Sequence, residues 1–131
     1  MDKIHIEKGS VQETLIIPLY GRKLCAEQFP TLYQDKYAAK ICESIDYDFS
    51  KLKSKENSAM YQFGALEGAM REKDMLWEIA DYLKTHPKAA VVNLGCGLNM
   101  TGRTADNGTC CIYNLDFPDV IKSRNEIISA G

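Results

Sequence analysis

The chain has 131 residues, of which 45% are hydrophobic and 26% are charged, a composition typical of one globular domain and not of a disordered segment. Its 16 basic and 18 acidic residues give a net charge of −2, which gives no support to a broad basic surface for nucleic acid. No apolar run approaches the roughly 20 residues of a membrane span, and the N-terminus has no apolar signal-peptide core, so we expect a cytoplasmic protein.

The first part of the chain is predicted to be helical. Ser10, with Glu13 three residues later, predicts a capping box at the start of a helix over 11–29. Pro18 lies inside that pattern and predicts either a kink or two separate helices. Apolar spacing predicts a second helix over 35–45, followed by a short polar helix and a turn.

A long helix is predicted over 59–87, where apolar residues recur at steps of three and four and Pro87 ends the pattern. Gly64 and Gly68 lie four residues apart within it. Each glycine weakens the helix by up to ~1 kcal/mol relative to alanine, and such glycines can also allow another backbone to approach closely. Residues 1–88 are therefore predicted to form a mainly helical leader.

After the long helix the hydrophobic pattern changes. The runs "AAVVNLG" and "TCCIYNLD" are apolar, contain β-branched residues and do not alternate, which predicts two strands covered on both faces. Leu94 lies in the first run, so we expect Leu94→Ala to cost ~2–5 kcal/mol of stability. Pro118 predicts the first position of a closing helix. The fold class predicted is therefore α/β.

The chain has five cysteines, an odd number, and no Cys-x-x-Cys pair, which favours reduced thiols in a cytoplasmic protein. Cys110 and Cys111 are adjacent in an apolar run, so we expect them on opposite faces of a strand. His5 and His86 lack metal-ligand spacing to any cysteine, and no metal site is predicted.

The stretch "VVNLGCGLNMTGR" places Gly95 and Gly97 directly after the first predicted strand. Glycines there leave main-chain N–H groups open to a ligand, which in α/β sheets lies beyond the carboxyl ends of the strands. Asp116 comes 19 residues after Gly97, where an acid can accept hydrogen bonds from ribose hydroxyls. Met100 replaces the third glycine of the dinucleotide pattern, which favours a nucleoside without phosphates, such as S-adenosylmethionine. The alternative is a plain tight turn.

The same segments resemble a known family. "HPKAAVVNLGCGLN" and "DNGTCCIYNLDFPDVIKSR" are similar to the S-adenosylmethionine-dependent O-methyltransferases of the leucine carboxyl methyltransferase and polyketide (tetracenomycin-type) O-methyltransferase group. "ETLIIPLYGRKL", "DKYAAKI" and "IDYDFSKL" resemble the helical leader of that group. The resemblance implies a leader in 1–88 and, in 89–131, the first β-α-β-α part of a truncated Rossmann-like class I fold, the N-terminal half only.

The resemblance also implies residue roles in binding S-adenosylmethionine. Gly95 and Gly97 would lie against the methionine part and the ribose, and Asp116 would hold the ribose hydroxyls. Arg71 would pair with the cofactor carboxylate, for which a guanidinium is well suited. Asn99 stands at a site position where the family usually has an aspartate.

Several of these residues have a second interpretation. Arg71 is also explained as a solvated charge near Glu67 and Asp74 at helical spacing. The resemblance implies that Tyr20 and Arg22 line the site, whereas Tyr20 by itself is better explained as an ordinary half-buried aromatic residue.

The resemblance implies that the chain is the N-terminal part of an O-methyltransferase and carries the cofactor loop. We expect this part not to be catalytically competent alone. The complete enzyme would methylate a small molecule or a carboxylate. No catalytic residue is predicted. The alternative is a non-catalytic interaction module, since exposed strand edges favour association. We expect a homo-oligomer or a partner chain that completes the sheet, and no nucleic-acid or membrane partner. A split gene product, a fragment and a self-associating small protein remain open.

Overall fold

The computed structural model describes residues 2–129 and shows a mixed α/β fold, as the sequence predicts. In chain order, the elements are β1 (Ile4–His5), α1 (Glu13–Gln28), α2 (Ala38–Ser44), β2 (Ile45–Asp46), α3 (Ser50–Lys53), α4 (Ala59–Thr85), β3 (Ala90–Leu94), α5 (Thr101–Ala105), β4 (Cys111–Leu115) and α6 (Pro118–Ser129).

The strands form two separate parallel pairs. β3 and β4 pair in register from Ala90 with Cys111 to Leu94 with Leu115, so the two predicted strands are neighbours. β1 and β2 form a second pair of two residues each. This second pair was not predicted from the sequence, because two residues are too few to show a strand period.

The start of α1 differs from the prediction. The helix begins at Glu13, so Ser10 is not its N-cap, although Ser10 Oγ accepts the Glu13 N–H at 3.3 Å. The Glu13 side chain accepts a hydrogen bond from the Gly9 N–H at 2.9 Å. Pro18 lies within one continuous helix, so of the two predicted alternatives, a kink or two helices, the second is wrong.

The long helix α4 is confirmed and packs along α1. Gly21 of α1 faces Ala65 of α4, and a Cβ on Gly21 would lie 3.7 Å from Ala65, an ordinary van der Waals contact. At Gly64 and Gly68 no other backbone approaches closely, because a Cβ on either would meet no atom within 4 Å. The N-cap of α4 is Ser58, whose hydroxyl accepts the Tyr61 N–H at 3.1 Å.

One hydrophobic core joins the leader to the glycine-turn segment. Its most buried side chains include Ile16 and Leu19 from α1 and Ile127 from α6. Leu98 and Met100, which follow the glycines, belong to the same cluster. The position of the glycine turn is therefore fixed by packing against the leader.

The β3–β4 sheet is covered on one face only. On the covered face Gly102 of α5 lies against Ile112, where only glycine fits, since a Cβ would be 2.5 Å from Ile112 Cγ2. The opposite face is open, and Leu94, Tyr113 and Leu115 are 76%, 52% and 45% exposed. The prediction that both faces are covered is wrong, which removes the basis for expecting a large loss of stability from Leu94→Ala. The reason is that α6 packs on α2 and the core instead of crossing the open face.

Two smaller expectations concern the cysteines and the membrane. β4 begins at Cys111, so Cys110 lies in the preceding turn and the two do not occupy opposite faces of one strand. All five cysteines are free thiols. Within residues 2–129 no helix combines the length and the apolar character that a membrane crossing requires.

Candidate functional site

The glycine turn follows β3 directly. Gly95 and Gly97 have φ angles of 63° and 47°, a left-handed region that side-chain-bearing residues rarely occupy. A Cβ on Gly95 would meet no atom within 4 Å, so the main chain at this position faces open space. The two glycines therefore form the turn, which is open at Gly95, whereas a Cβ on Gly97 would lie 3.4 Å from Leu15 Cδ2.

Asp116 lies at this turn, as its spacing predicts. Its Oδ2 accepts the Gly97 N–H at 2.9 Å, and its Oδ1 accepts the Phe117 N–H at 2.7 Å. The link is reinforced by the Cys96 N–H, which donates to the Leu115 carbonyl at 3.1 Å. Each carboxylate oxygen has a second lone pair, so Asp116 keeps the capacity to accept hydrogen bonds from a ligand.

Arg124 of α6 supports the turn from beneath and was missed in the sequence analysis. It is only 7% exposed, and its Nη1 donates to the carbonyls of Gly97 at 2.9 Å and Asn99 at 2.7 Å. Burial lowers the pKa of its guanidinium. A signal was present, because Arg124 shares one helical stripe with the buried Val120 and Ile127, where a charge is unexpected.

Asn99 orders the same loop through its side chain. Its Oδ1 accepts the Asn93 Nδ2 at 2.8 Å and the Thr101 N–H at 3.3 Å. Asn93 in turn donates to Asn114 Oδ1 at 3.0 Å, which connects the loop to β4. The side-chain oxygen of Asn99 is thus already used in hydrogen bonds within the protein.

Arg71 borders a cavity of about 940 Å³ that lies between α1, α4, β3 and the start of α5. Asn99 also lines this cavity, whereas Gly95, Gly97 and Asp116 are not among its lining residues. The predicted site residues therefore fall into two groups: one at the glycine turn and one along the cavity. Arg71 is exposed and, among residues 2–129, has no ion-pair partner, so it does not pair with Glu67 or Asp74.

A buried polar cluster, which we call the Glu72 cluster, forms one side of the cavity. Arg22 Nε lies 3.8 Å from both Asp35 Oδ2 and Glu72 Oε2. The Tyr33 hydroxyl bonds both carboxylates, and Thr101 Oγ1 donates to Glu72 Oε1 at 3.0 Å. Burial and Glu72 raise the pKa of Tyr33 well above its ordinary value. The cluster joins the leader to α5. It could not be predicted from the sequence, because its members are far apart in the chain.

The leader residues named in the sequence analysis have different positions. Arg22 lines the cavity as part of the Glu72 cluster. Tyr20 does not line it: its ring stacks on Phe49 at 5.5 Å between centroids, and its hydroxyl donates to Glu56 at 3.2 Å. Tyr20 is therefore a packing residue.

Comparison with known proteins gives two similar sequences. The chain is 32% identical over 123 residues to the tetracenomycin polyketide synthesis O-methyltransferase TcmP of Streptomyces glaucescens, a match that covers 93% of this chain. It is 26% identical over 134 residues to the S-adenosyl-L-methionine-dependent methyltransferase dpfgK of Gibberella zeae, which covers 98% of this chain. The chain is a relative of methyltransferases.

This methyltransferase relative spans less than half the length of the proteins it matches, 43% of the Streptomyces protein and 44% of the Gibberella protein. No protein-family model matches the chain, and no solved structure matches it significantly. The two relatives support a methyltransferase origin, and the short parallel sheet with its glycine turn is compatible with part of a Rossmann-like fold.

Proposed function

We propose that this chain carries the S-adenosylmethionine-binding part of an O-methyltransferase, with the glycine turn and Asp116 as the nucleoside site. The observation that carries the proposal is the contact between Asp116 and Gly97, because it fixes an acceptor-rich carboxylate beside an open turn. The names of the two relatives, a polyketide O-methyltransferase and an S-adenosyl-L-methionine-dependent methyltransferase, support the choice of cofactor.

The residues present offer a polar partner for each end of such a cofactor. Asp116 would accept hydrogen bonds from the ribose hydroxyls with its remaining lone pairs. The open space at Gly95 would admit the sugar close to the main chain. Arg71, exposed and without an ion-pair partner among residues 2–129, would hold the amino-acid carboxylate. When bound, S-adenosylmethionine supplies a methyl group on a sulfonium, which a nucleophile of the acceptor displaces.

Methyl transfer requires more than a bound cofactor, because the acceptor must be aligned and shielded from water. Here the cavity walls are open, and Met60 and Leu94, which line the cavity, are 82% and 76% exposed. We therefore propose that this segment alone is not catalytically competent and that additional polypeptide completes the site.

The second candidate function is a non-catalytic module that associates with itself or another chain. The open sheet face favours it, since Val92 and Leu94 on β3, with Tyr113 and Leu115 on β4, expose apolar surface together with Phe117.

Calorimetric titration with S-adenosylmethionine and S-adenosylhomocysteine tests the cofactor proposal. We expect saturable binding that is weakened at least about tenfold in Asp116→Asn, with the fold of the variant checked by circular dichroism. Asp119→Ala, an exposed acidic position three residues later, is the matched control and should bind as the unchanged protein does. Absence of heat at millimolar ligand would favour the association module.

A second comparison tests the proposed role of Arg71. Arg71→Met should weaken S-adenosylhomocysteine but not 5′-methylthioadenosine, which has the nucleoside without the amino-acid carboxylate. Equal weakening of both ligands would place Arg71 elsewhere in the site.

A further inference from the structure

The two groups of predicted site residues lie on different elements of the fold. Arg71 belongs to α4, whereas the glycine turn follows β3 and is bonded to Asp116 at the end of β4. A ligand that contacts both groups needs them at a fixed separation. The contacts that place α4 relative to the turn therefore bear directly on binding.

Apolar packing of α4 is sparse in this region. Of its 27 residues, Ala69 and Leu83 are the ones that are buried. Ala69 packs with Cys25 and Tyr33, so this contact joins α4 to the leader. The placement of Arg71 relative to the glycine turn consequently depends on polar contacts as well.

A hydrogen bond joins α4 directly to the loop that follows the glycines. Thr101 Oγ1 donates to Glu72 Oε1 at 3.0 Å, and Thr101 is only 8% exposed, so the bond is shielded from water. The Thr101 N–H donates to Asn99 Oδ1 at 3.3 Å, and the Asn99 N–H donates to the Cys96 carbonyl at 2.9 Å. Glu72 is thereby connected, through Thr101 and Asn99, to the glycine turn.

The Glu72 carboxylate is itself held in one orientation. Its side chain is 14% exposed, and its second oxygen, Oε2, bonds the Tyr33 hydroxyl and lies 3.8 Å from Arg22 Nε. Because both oxygens have partners, the carboxylate has little freedom to rotate. Thr101 therefore has a fixed position relative to α4.

The Thr101–Glu72 bond also lies in the wall of the cavity, next to Arg71 in the chain. Arg71, Glu72, Asn99 and Thr101 all line this cavity. Loss of the bond would release the start of α5 from α4 at the point where Arg71 borders the cavity.

We propose that the Thr101–Glu72 bond sets the separation between Arg71 and the glycine turn, and thereby selects ligands in which a nucleoside and an amino-acid carboxylate are joined. The inference rests on the proposed function and adds to it a role for Glu72 and Thr101. Both are positioning residues, because they act through Arg71. A ligand held at two ends loses affinity when one protein group is displaced, whereas a ligand held only at the turn does not.

Calorimetric titration with S-adenosylhomocysteine and 5′-methylthioadenosine tests the inference. Thr101→Val removes the hydroxyl and keeps the branched shape of the side chain. It should weaken S-adenosylhomocysteine at least about tenfold and change 5′-methylthioadenosine by less than about twofold. Thr101→Ser keeps a hydroxyl and should restore the binding of S-adenosylhomocysteine.

Thr104→Val, at an exposed threonine of the same helix, is the matched control and should bind both ligands as the unchanged protein does. Circular dichroism shows whether each variant is folded. If Thr101→Val does not fold, Thr101→Ala removes the same hydroxyl with less bulk and carries the same expectation.

A double variant tests whether Thr101 acts through Arg71. In the Arg71→Met background, Thr101→Val should weaken S-adenosylhomocysteine no further, because the group that it positions is already absent. A residue that contacts the ligand itself, or that only supports the fold, would weaken binding in both backgrounds.

Three results would overturn this inference and leave the cofactor proposal intact. They are unchanged S-adenosylhomocysteine binding in Thr101→Val, equal weakening of the two ligands, and a further loss in the Arg71→Met background. Absence of S-adenosylhomocysteine binding by the unchanged chain would instead overturn the cofactor proposal, and this inference with it.

Discussion

The main-chain N–H of Gly97 donates a 2.9 Å hydrogen bond to Asp116 Oδ2 across the carboxyl ends of two parallel strands. The two residues are 19 positions apart in the chain, and their contact depends on the register that places Leu94 beside Leu115. The bond holds the left-handed turn at Gly97 in one conformation and orients the carboxylate. Any ligand of the turn would therefore meet a site formed before binding, which lowers the ordering cost on binding.

Arg124 is predicted to stabilise this turn. Arg124→Ala would leave the carbonyls of Gly97 and Asn99 without their buried donor, which should cost about 2–4 kcal/mol of unfolding free energy. Chemical denaturation measures the loss. Arg103→Ala, at an exposed position, is the control and should change stability by about 0.5 kcal/mol or less. Equal stability of the two variants would show that Arg124 does not support the turn.

Gly102 and Gly64 should respond oppositely to the same substitution. Gly102→Ala places a Cβ 2.5 Å from Ile112 Cγ2, so we expect a destabilisation of about 1–3 kcal/mol. Gly64→Ala lies within α4 with no atom within 4 Å of the new Cβ, and should stabilise by about 0.5–1 kcal/mol. Thermal unfolding measures the stability of both variants. A stabilised Gly102→Ala would contradict the packing of α5 on β4.

Local signals predicted the elements well, whereas contacts between distant segments had to come from the structure. Pro118 marks the first residue of α6 because its fixed φ suits that position, and this requires no knowledge of the rest of the fold. Ser58, the actual cap of α4, carries an equally local signal that the analysis overlooked. Glu72, by contrast, gains its partners Arg22 and Thr101 only when α1, α4 and α5 come together.

The site was predicted in part for the same reason. The spacing from Gly97 to Asp116 reflects a parallel strand–helix–strand unit formed by β3, α5 and β4, so the local sequence specifies their contact. The apolar run around Leu94 could not reveal that one face of the sheet is open, because an apolar run shows that burial is favourable and not which element provides it. The assignment of ligand roles to Arg71, Gly95, Gly97, Asn99 and Asp116 stays a prediction.

Substitution of Leu94 tests whether one face of the β3–β4 sheet is uncovered in solution. Because its side chain is 76% exposed, Leu94→Ala should change the free energy of unfolding by about 0.5 kcal/mol or less, in place of the large loss expected from sequence. Ile16→Ala is the matched core substitution, since Ile16 is fully buried, and should cost about 2–5 kcal/mol. Urea denaturation measures both. A large loss for Leu94→Ala would mean that its face is covered in solution, for example by association, which light scattering would detect.

Stability is predicted to fall at alkaline pH. Burial, followed by the Glu56 carboxylate, raises the pKa of Tyr20 to about 12, and burial raises the pKa of Cys42 to about 11. Both pKa values lie above those of the unfolded chain, near 10 for tyrosine and about 8.5 for cysteine. The unfolded state therefore loses its protons first. The stability that the neutral groups contribute is complete below about pH 8.5 and is lost as the pH rises toward 12.

Thermal unfolding between about pH 8 and about pH 11 measures this loss of stability. The variant Tyr20→Phe shows how much of the loss is due to ionisation of Tyr20. The variant lacks the hydroxyl that donates to Glu56 but keeps the ring that stacks on Phe49. The difference in Tm between the unchanged protein and Tyr20→Phe should shrink as the pH rises, because the tyrosine loses its advantage once the unfolded state ionises. Tyr113→Phe, at an exposed position, should follow the unchanged protein at every pH. A Tm difference for Tyr20→Phe that stays constant over this range would show that ionisation of Tyr20 is not linked to unfolding.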